Sequence, residues 1–224
     1  MNKNIILQHY TGKLGELEKL SQANIIKYAE FCGAEYQLIQ GDLFMEGLTP
    51  PCQKIHMLNE AWDDYDFVVM MDIDMFTRKG MSKNIFTDAK GYGRHFGIQD
   101  MLHNKIVREF PDLGSLNHPY WGGSIYRLPR ELRQELRKHI VESEVKRFSG
   151  NLEDEGIMHR LAVKAKIPIK DAYLDGQNWN YSSFDYGVEN ANIIHIRTKI
   201  WPNGPKRSKL ENYQGLVEKG LIDE

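Results

Sequence analysis

Cysteine is scarce. Cys32 and Cys52 are the only two among 224 residues, far apart and without metal-ligand spacing. That excludes a disulfide-stapled scaffold and a cysteine-ligated zinc site, and it suits a reducing, cytoplasmic setting. No apolar run approaches the roughly 20 residues that cross a bilayer. "NIILQHY" at residues 4–10 is too short and too polar at its end for a signal-peptide core. Neither sign of charge dominates: 29 Lys and Arg against 31 Asp and Glu leave a net −2. No global field therefore favours nucleic acid or an anionic membrane. Internal repeats, low-complexity tracts and linker-like stretches are missing too. What is present is a globular balance, 41% hydrophobic and 27% charged, which can bury a sizeable core. The reading is one domain over 1–224, with a basic loop and helical tail at 205–224. Because that tail ends without a clear stop signal, membership of a larger polypeptide stays open.

Along the chain, "NIILQHY" reads as a buried strand, and 14–32 carries Leu17, Leu20, Ile25, Tyr28, Ala29 and Cys32 at helical spacing. Gly33 suits the helix end, and "AEYQLIQ" reads as a second strand. This β-α-β opening predicts an α/β fold with a mostly parallel central sheet flanked by helices. A turn at Pro50–Pro51 starts a further helix, and Pro129 starts a long charged one through Phe148. "IPIKDAYL" at 167–174 reads as another strand.

The most informative stretch is "DFVVMMDIDMF", residues 66–76. It is apolar on both faces, as a central parallel strand is, and it ends in two carboxylates, Asp72 and Asp74. Burying carboxylates is costly unless they are paired, hydrogen-bonded or bound to a cation. Hard divalent ions such as Mg²⁺ and Mn²⁺ take carboxylate oxygens and keep positions open for phosphate. Ligands of open α/β sheets gather at the carboxyl ends of strands. A pair of solvated or helix-capping aspartates is the competing reading of D-x-D alone.

A lysine-bearing helix followed by an apolar strand and D-x-D, "QKIHMLNEAWDDYDFVVMMDIDMF", resembles the GT-A (Rossmann-like) nucleotide-sugar glycosyltransferases. It is similar both to the glycogenin/galactinol synthase-like family and to the yeast-type galactosyl/mannosyltransferase family. "SQANIIKYAEFCGAEYQLIQGD" also resembles the second. The resemblance implies that Asp72 and Asp74 hold Mn²⁺ or Mg²⁺ against the donor diphosphate, with Asp72 also reaching the donor's sugar or ribose. "IIHIRTKIWPNG" resembles the C-terminal His-Lys-Pro-Trp block of the glycogenin-like family. That implies His195 as third metal ligand and Lys199 as a diphosphate contact, although Trp201 and Pro202 stand in swapped order.

"LEDEGIMHRL" and "DGQNWNY" resemble that family's acidic helix and its later Trp-Asn. They imply Asp154 and Glu155 as catalytic carboxylates, and Glu153, Trp179 and Asn180 as acceptor contacts. "HPYWGGSIYRL" implies close backbone approach to the donor at Gly122 and Gly123 and a sugar platform at Trp121, without the family's asparagine. Gln99 and Asp100 stand where a donor-sugar contact is expected. Gln8, His9, Tyr10 and Thr11 end the first strand, where this fold receives the base and ribose, and Lys54 is placed to reach a phosphate or the sugar. The basic segment "GPKRSK" at 204–209 reads as a loop near the diphosphate.

The implied activity is metal-dependent transfer of a sugar from a nucleotide-sugar, a UDP-sugar in the first instance, to a hydroxyl acceptor such as a glycan. Both families retain anomeric configuration, which favours retention here. Partners are then the donor and the acceptor, with no nucleic acid and no membrane span. Two other readings remain. A sugar nucleotidyltransferase needs a phosphate-cradling loop that "HYTGKLGELEK" does not supply convincingly. A non-catalytic carbohydrate- or nucleotide-binding module would use the aromatics alone.

Overall fold

The apolar opening run forms β1 (Asn4–Tyr10), buried along nearly its whole length because strands flank it on both sides. A computed structural model describes residues 3–150, 152–183, 186–198 and 207–223. Helix α1 (Glu16–Cys32) follows, with Glu16 and Glu18 in its first turn, where the helix dipole favours carboxylates. Gly33 stops it in the left-handed region at φ 65°, and β2 (Glu35–Gln40) returns parallel to β1. The stretch after Pro50–Pro51 is a 3-10 helix, Pro50–Leu58. It leads to β3 (Phe67–Asp72), which pairs parallel with β1 so that His9 stands opposite Asp72. The carboxyl ends of β1 and β3 are therefore level.

The chain leaves this sheet at Asp72 and enters a second one three residues later, at Met75. Strand β4 (Met75–Thr77) belongs to a three-stranded sheet ordered β4-β8-β7, with β7 at Tyr181–Ser182 and β8 at Ile193–His195. Back in the main sheet, β5 (Gly93–Arg94) precedes α2 (Gly97–Glu109), and β6 (Gly122–Pro129) runs antiparallel to β3. The main sheet has the order β2-β1-β3-β6-β5 and is mixed: β1, β2 and β3 are parallel, while β6 is antiparallel to both β3 and β5.

The long charged helix expected after Pro129 is broken into α3 (Arg130–Arg137), the short α4 (Glu142–Val145) and a 3-10 turn. Helix α5 (Glu153–Lys164) and the C-terminal α6 (Lys209–Glu218) complete the set. "IPIKDAYL" is not a strand. Lys166 and Asp171 take positive φ, and only Tyr173 bridges to Gly93.

Alternation along β3 feeds both faces of the sheet. Val68 and Met70 pack with Leu7, Tyr126 and Ile157, while Val69 and Met71 pack with Ile6, Ile25 and Ile125. A third cluster, with Phe76, Ile194, Ile196, Tyr213 and Leu216, ties the small sheet to α6. No helix among the described residues is long and apolar enough to cross a membrane.

Candidate active site

The turn between β3 and β4 projects Asp72 and Asp74 at the edge where the two sheets meet. Antiparallel pairing sets Met75 opposite His195, and the Ile196 amide donates to the Asp74 carbonyl at 2.9 Å. The imidazole consequently faces both carboxylates, with Nε2 3.2 Å from Asp74 Oδ1 and 3.8 Å from Asp72 Oδ2. One ligating atom from each residue lies within 4.8 Å of the others. Asp74 is 5% exposed and His195 7%.

Two carboxylates and one imidazole suit Mn²⁺ or Mg²⁺. The buried Asp74 Oδ1 has His195 Nε2 3.2 Å away and is otherwise without a hydrogen-bond partner among the described residues. An acceptor left unpaired at that depth is where a cation fits. Burial alone would raise the Asp74 carboxyl. The neighbouring His195 and the Lys209 ammonium outweigh it and hold the group well below the usual carboxylate range. Arg197 Nε donates to His195 Nδ1 at 3.4 Å.

Behind the pair sits Lys54, delivered by the Pro50–Leu58 helix. Its ammonium lies 2.7 Å from Asp72 Oδ1 and 2.9 Å from Asp154 Oδ2, and it donates to the Gly123 carbonyl at 2.6 Å. Burial disfavours this ammonium, but Asp154 and Asp72 outweigh burial and raise Lys54 above the ordinary lysine value. On the opposite side, Glu155 accepts from the Gly123 amide at 2.9 Å and from the Tyr120 hydroxyl at 3.0 Å. Burial raises the Glu155 carboxyl. A Cβ on Gly123 would stand 2.2 Å from Asp154 Oδ2, so glycine is what lets Asp154 reach Lys54.

These groups line an open cleft of ≈ 500 Å³, together with His9, Tyr10, Thr11, Arg197 and Lys209. His9 also bonds through Nε2 to the Gly41 carbonyl at 2.8 Å. Of the residues singled out from the sequence, the cleft therefore gathers His9, Tyr10, Lys54, Asp72, Asp74, Gly123, Asp154, Glu155 and His195.

Others stand elsewhere. Gln8 is fully buried on the opposite side of β1. Its amide donates to Ser21 Oγ and the Asp72 carbonyl, and accepts from the Tyr36 hydroxyl. No donor contact is left to it. Trp121 is fully buried, its indole N–H donating to the Ala172 carbonyl at 2.9 Å, so it is core and not a sugar platform. Gln99 and Asp100 follow the short β5, in the first turn of α2, and neither lines the main cleft. Gln99 packs on Gly122, where a Cβ would be 2.8 Å from its Nε2, while exposed Asp100 pairs with His95 at 2.9 Å.

Glu153 accepts the Thr49 hydroxyl beside the Pro50–Pro51 rim. Trp179 and Asn180 line a separate crevice of only ≈ 10 Å³ with Arg94, His95 and Phe96, room for a single water. Asn180 nevertheless touches the main cleft by donating to Ser124 Oγ. Lys199, like Trp201 and Pro202, lies outside the described residues.

One participant was not singled out individually. Lys209, the first residue of α6, forms an ion pair with Asp74 Oδ2. The signal was available: Ser208 and Glu211 form a capping box that fixes the start of α6 inside the basic segment.

No protein-family model and no curated protein matches the chain. Solved structures do. A glycosyltransferase involved in the glycosylation of the major capsid of PBCV-1 superposes with a TM-score of 0.60 at 12% identity, over 96% of this chain and 99% of that one. Galactosyltransferase LgtC, in complex with donor and acceptor sugar analogs, superposes with a TM-score of 0.56 at 9% identity, over 98% of this chain and 96% of that one. The likeness at these identities is one of fold. The protein has the GT-A fold of these glycosyltransferases, and its Asp72–Asp74 pair is consistent with a D-x-D motif.

Proposed function

We propose that this protein is a metal-dependent glycosyltransferase that moves a sugar from a UDP-sugar to a hydroxyl acceptor, a glycan, with retention of configuration. The observation that carries the reading is Asp72–Asp74–His195 at the carboxyl edge of the sheet, with an unpaired buried carboxylate oxygen and a ≈ 500 Å³ cleft in front of it. The activities named for the two solved neighbours support the same class.

Asp72, Asp74 and His195 would hold Mn²⁺ or Mg²⁺. When bound, the ion supplies Lewis-acid neutralisation of the charge on the departing diphosphate. Arg197 and Lys209, on the same rim, add charge-assisted contacts to phosphate oxygens. Tyr10 and His9 at the end of β1 frame the base and ribose, the aromatic ring of Tyr10 offering a stacking face. Lys54 and Asp154 meet the sugar as a fixed donor–acceptor pair. They are set before the substrate arrives, so they need little reorganisation at the reacting carbon.

The way the carboxylates are occupied supports retention. Glu155 is held by Tyr120 and the Gly123 amide, and Asp154 by Lys54. Neither is an unengaged base for the acceptor. The anomeric carbon–oxygen bond to the diphosphate breaks, the acceptor oxygen bonds that carbon from the same face, and the acceptor proton passes to the leaving phosphate oxygen. Calorimetric titration of UDP and GDP, with and without Mn²⁺, into wild type and Asp74→Ala tests the reading. Metal-dependent binding of UDP that Asp74→Ala loses is the expected result. No nucleotide binding with metal present would return the chain to a sugar-binding module.

A further inference from the structure

The Asp74 carboxylate already has a cation. Lys209 reaches its Oδ2 from the start of α6, while the His195 Nε2 stands 3.2 Å from its Oδ1. Unlike Lys54, which is locked between two carboxylates and a carbonyl behind the site, Lys209 stands in front. Its side chain is 42% exposed while that of Asp74 is 7% exposed, so the ammonium can withdraw into the cleft without unpacking anything. A divalent ion seated on Asp72, Asp74 and His195 would place like charges against this ammonium, and the repulsion grows as the separation shrinks.

We propose that Lys209 is a tethered cation that occupies Asp74 in the metal-free protein and must be displaced for a divalent ion to bind. The inference rests on the metal-site reading above. Anchoring of α6 by Phe76, Tyr213 and Leu216 keeps the released ammonium beside the cleft that Lys209 already lines. An incoming diphosphate gives it a new partner. The nucleotide therefore favours the displaced state, and metal and diphosphate bind with positive coupling that is reciprocal by linkage. Without the diphosphate, Lys209 competes with the ion. The side chain thus raises the threshold for loading metal alone and lowers it for loading metal with donor.

The test measures Mn²⁺ affinity of the nucleotide-free protein from the free-ion paramagnetic resonance signal, in wild type, Lys209→Met, Lys209→Gln and Lys209→Arg. Loss of the competing charge is expected to tighten Mn²⁺ binding about fivefold in the Met and Gln variants, the scale of a partly exposed ion pair. Lys209→Arg should stay near wild type. Added UDP should strengthen Mn²⁺ binding more in wild type than in Lys209→Met. Equal Mn²⁺ affinity in wild type and in folded Met and Gln variants overturns the tethered cation and leaves the metal site standing. Tightening in the Arg variant as well overturns its charge basis. No Mn²⁺ binding by any of the four proteins overturns the metal-site reading, and this inference with it.

Discussion

Met75 of β4 pairs with His195 of β8, and that register sets the imidazole Nε2 3.2 Å from Asp74 Oδ1 although 121 positions of sequence separate the two side chains. The site is thus closed by a strand pairing and not by a loop. His195→Ala should leave the fold in place and weaken Mn²⁺ binding at least ~10-fold, in the range seen when metal-site partners are lost. Calorimetric Mn²⁺ titration against a thermal melt separates the two effects. Unchanged affinity would remove His195 from the ligand set.

Lys54 is the counter-ion of two carboxylates, the buried Asp154 and the partly buried Asp72. Lys54→Met leaves Asp72 and Asp154 facing each other unpaired. The loss of stability should be about 3–5 kcal/mol, the scale of a broken buried pair. Urea unfolding measures it, and Lys54→Met combined with Asp154→Leu should recover part of the loss. A single variant within ~1 kcal/mol of wild type would show that solvent, not Lys54, satisfies these groups.

At Gly123 the smallest change is the most informative. The methyl of Gly123→Ala would collide with Asp154 Oδ2, and this carboxylate must turn away from Lys54. Overpacking of this kind costs about 1–3 kcal/mol. Donor turnover should fall much further than the melting temperature does. Turnover and stability falling in proportion would mean that Asp154 has no part in positioning the sugar.

Acid should weaken the fold through His159. Burial, then the neighbouring His103 and His118, lower its pKa from 6.5 to about 4, although its Nδ1 bonds the Pro119 carbonyl at 2.9 Å. The unfolded chain takes up a proton that the folded chain refuses. Its contribution is therefore complete above about pH 6.5, falls as pH drops towards 4, and falls no further below that. The full span is roughly 3 kcal/mol. Denaturant midpoints across this window should fall less steeply for His159→Gln than for wild type. Identical slopes would show that His159 is protonated in the folded protein.

Much of this arrangement was readable from residue order. Strand β3 announced itself because both of its faces are apolar, which only a strand covered on two sides sustains. The carboxylates ending it lie beside the histidine of the distant tail, in a group that could hold a metal ion. What escaped depended on which side of a strand a residue faces. Gln8 and His9 are adjacent and equally polar, yet alternation sends Gln8 to Ser21 beneath α1 and His9 to the cleft. Trp121 has the residue type of a sugar platform, but just ahead of β6 it is buried in the core, its indole N–H on the Ala172 carbonyl. The segment 167–174 has strand composition and a different backbone, because Lys166 and Asp171 adopt positive φ.

Asp72 ends a strand of the large sheet, whereas Asp74 and His195 are fastened to the small one, which rests on its own apolar cluster with Phe76, Ile194 and Tyr213. The two sheets nevertheless share one core, because Met75 of β4 and Ile193 of β8 pack with Ile6, Ile25, Val69 and Met71. Ser21 of α1 adds a tie by donating its hydroxyl to the Met75 carbonyl at 2.7 Å. Shifting one sheet against the other would disturb that common packing, so the distance between the two carboxylates is held by the same apolar contacts that hold the fold.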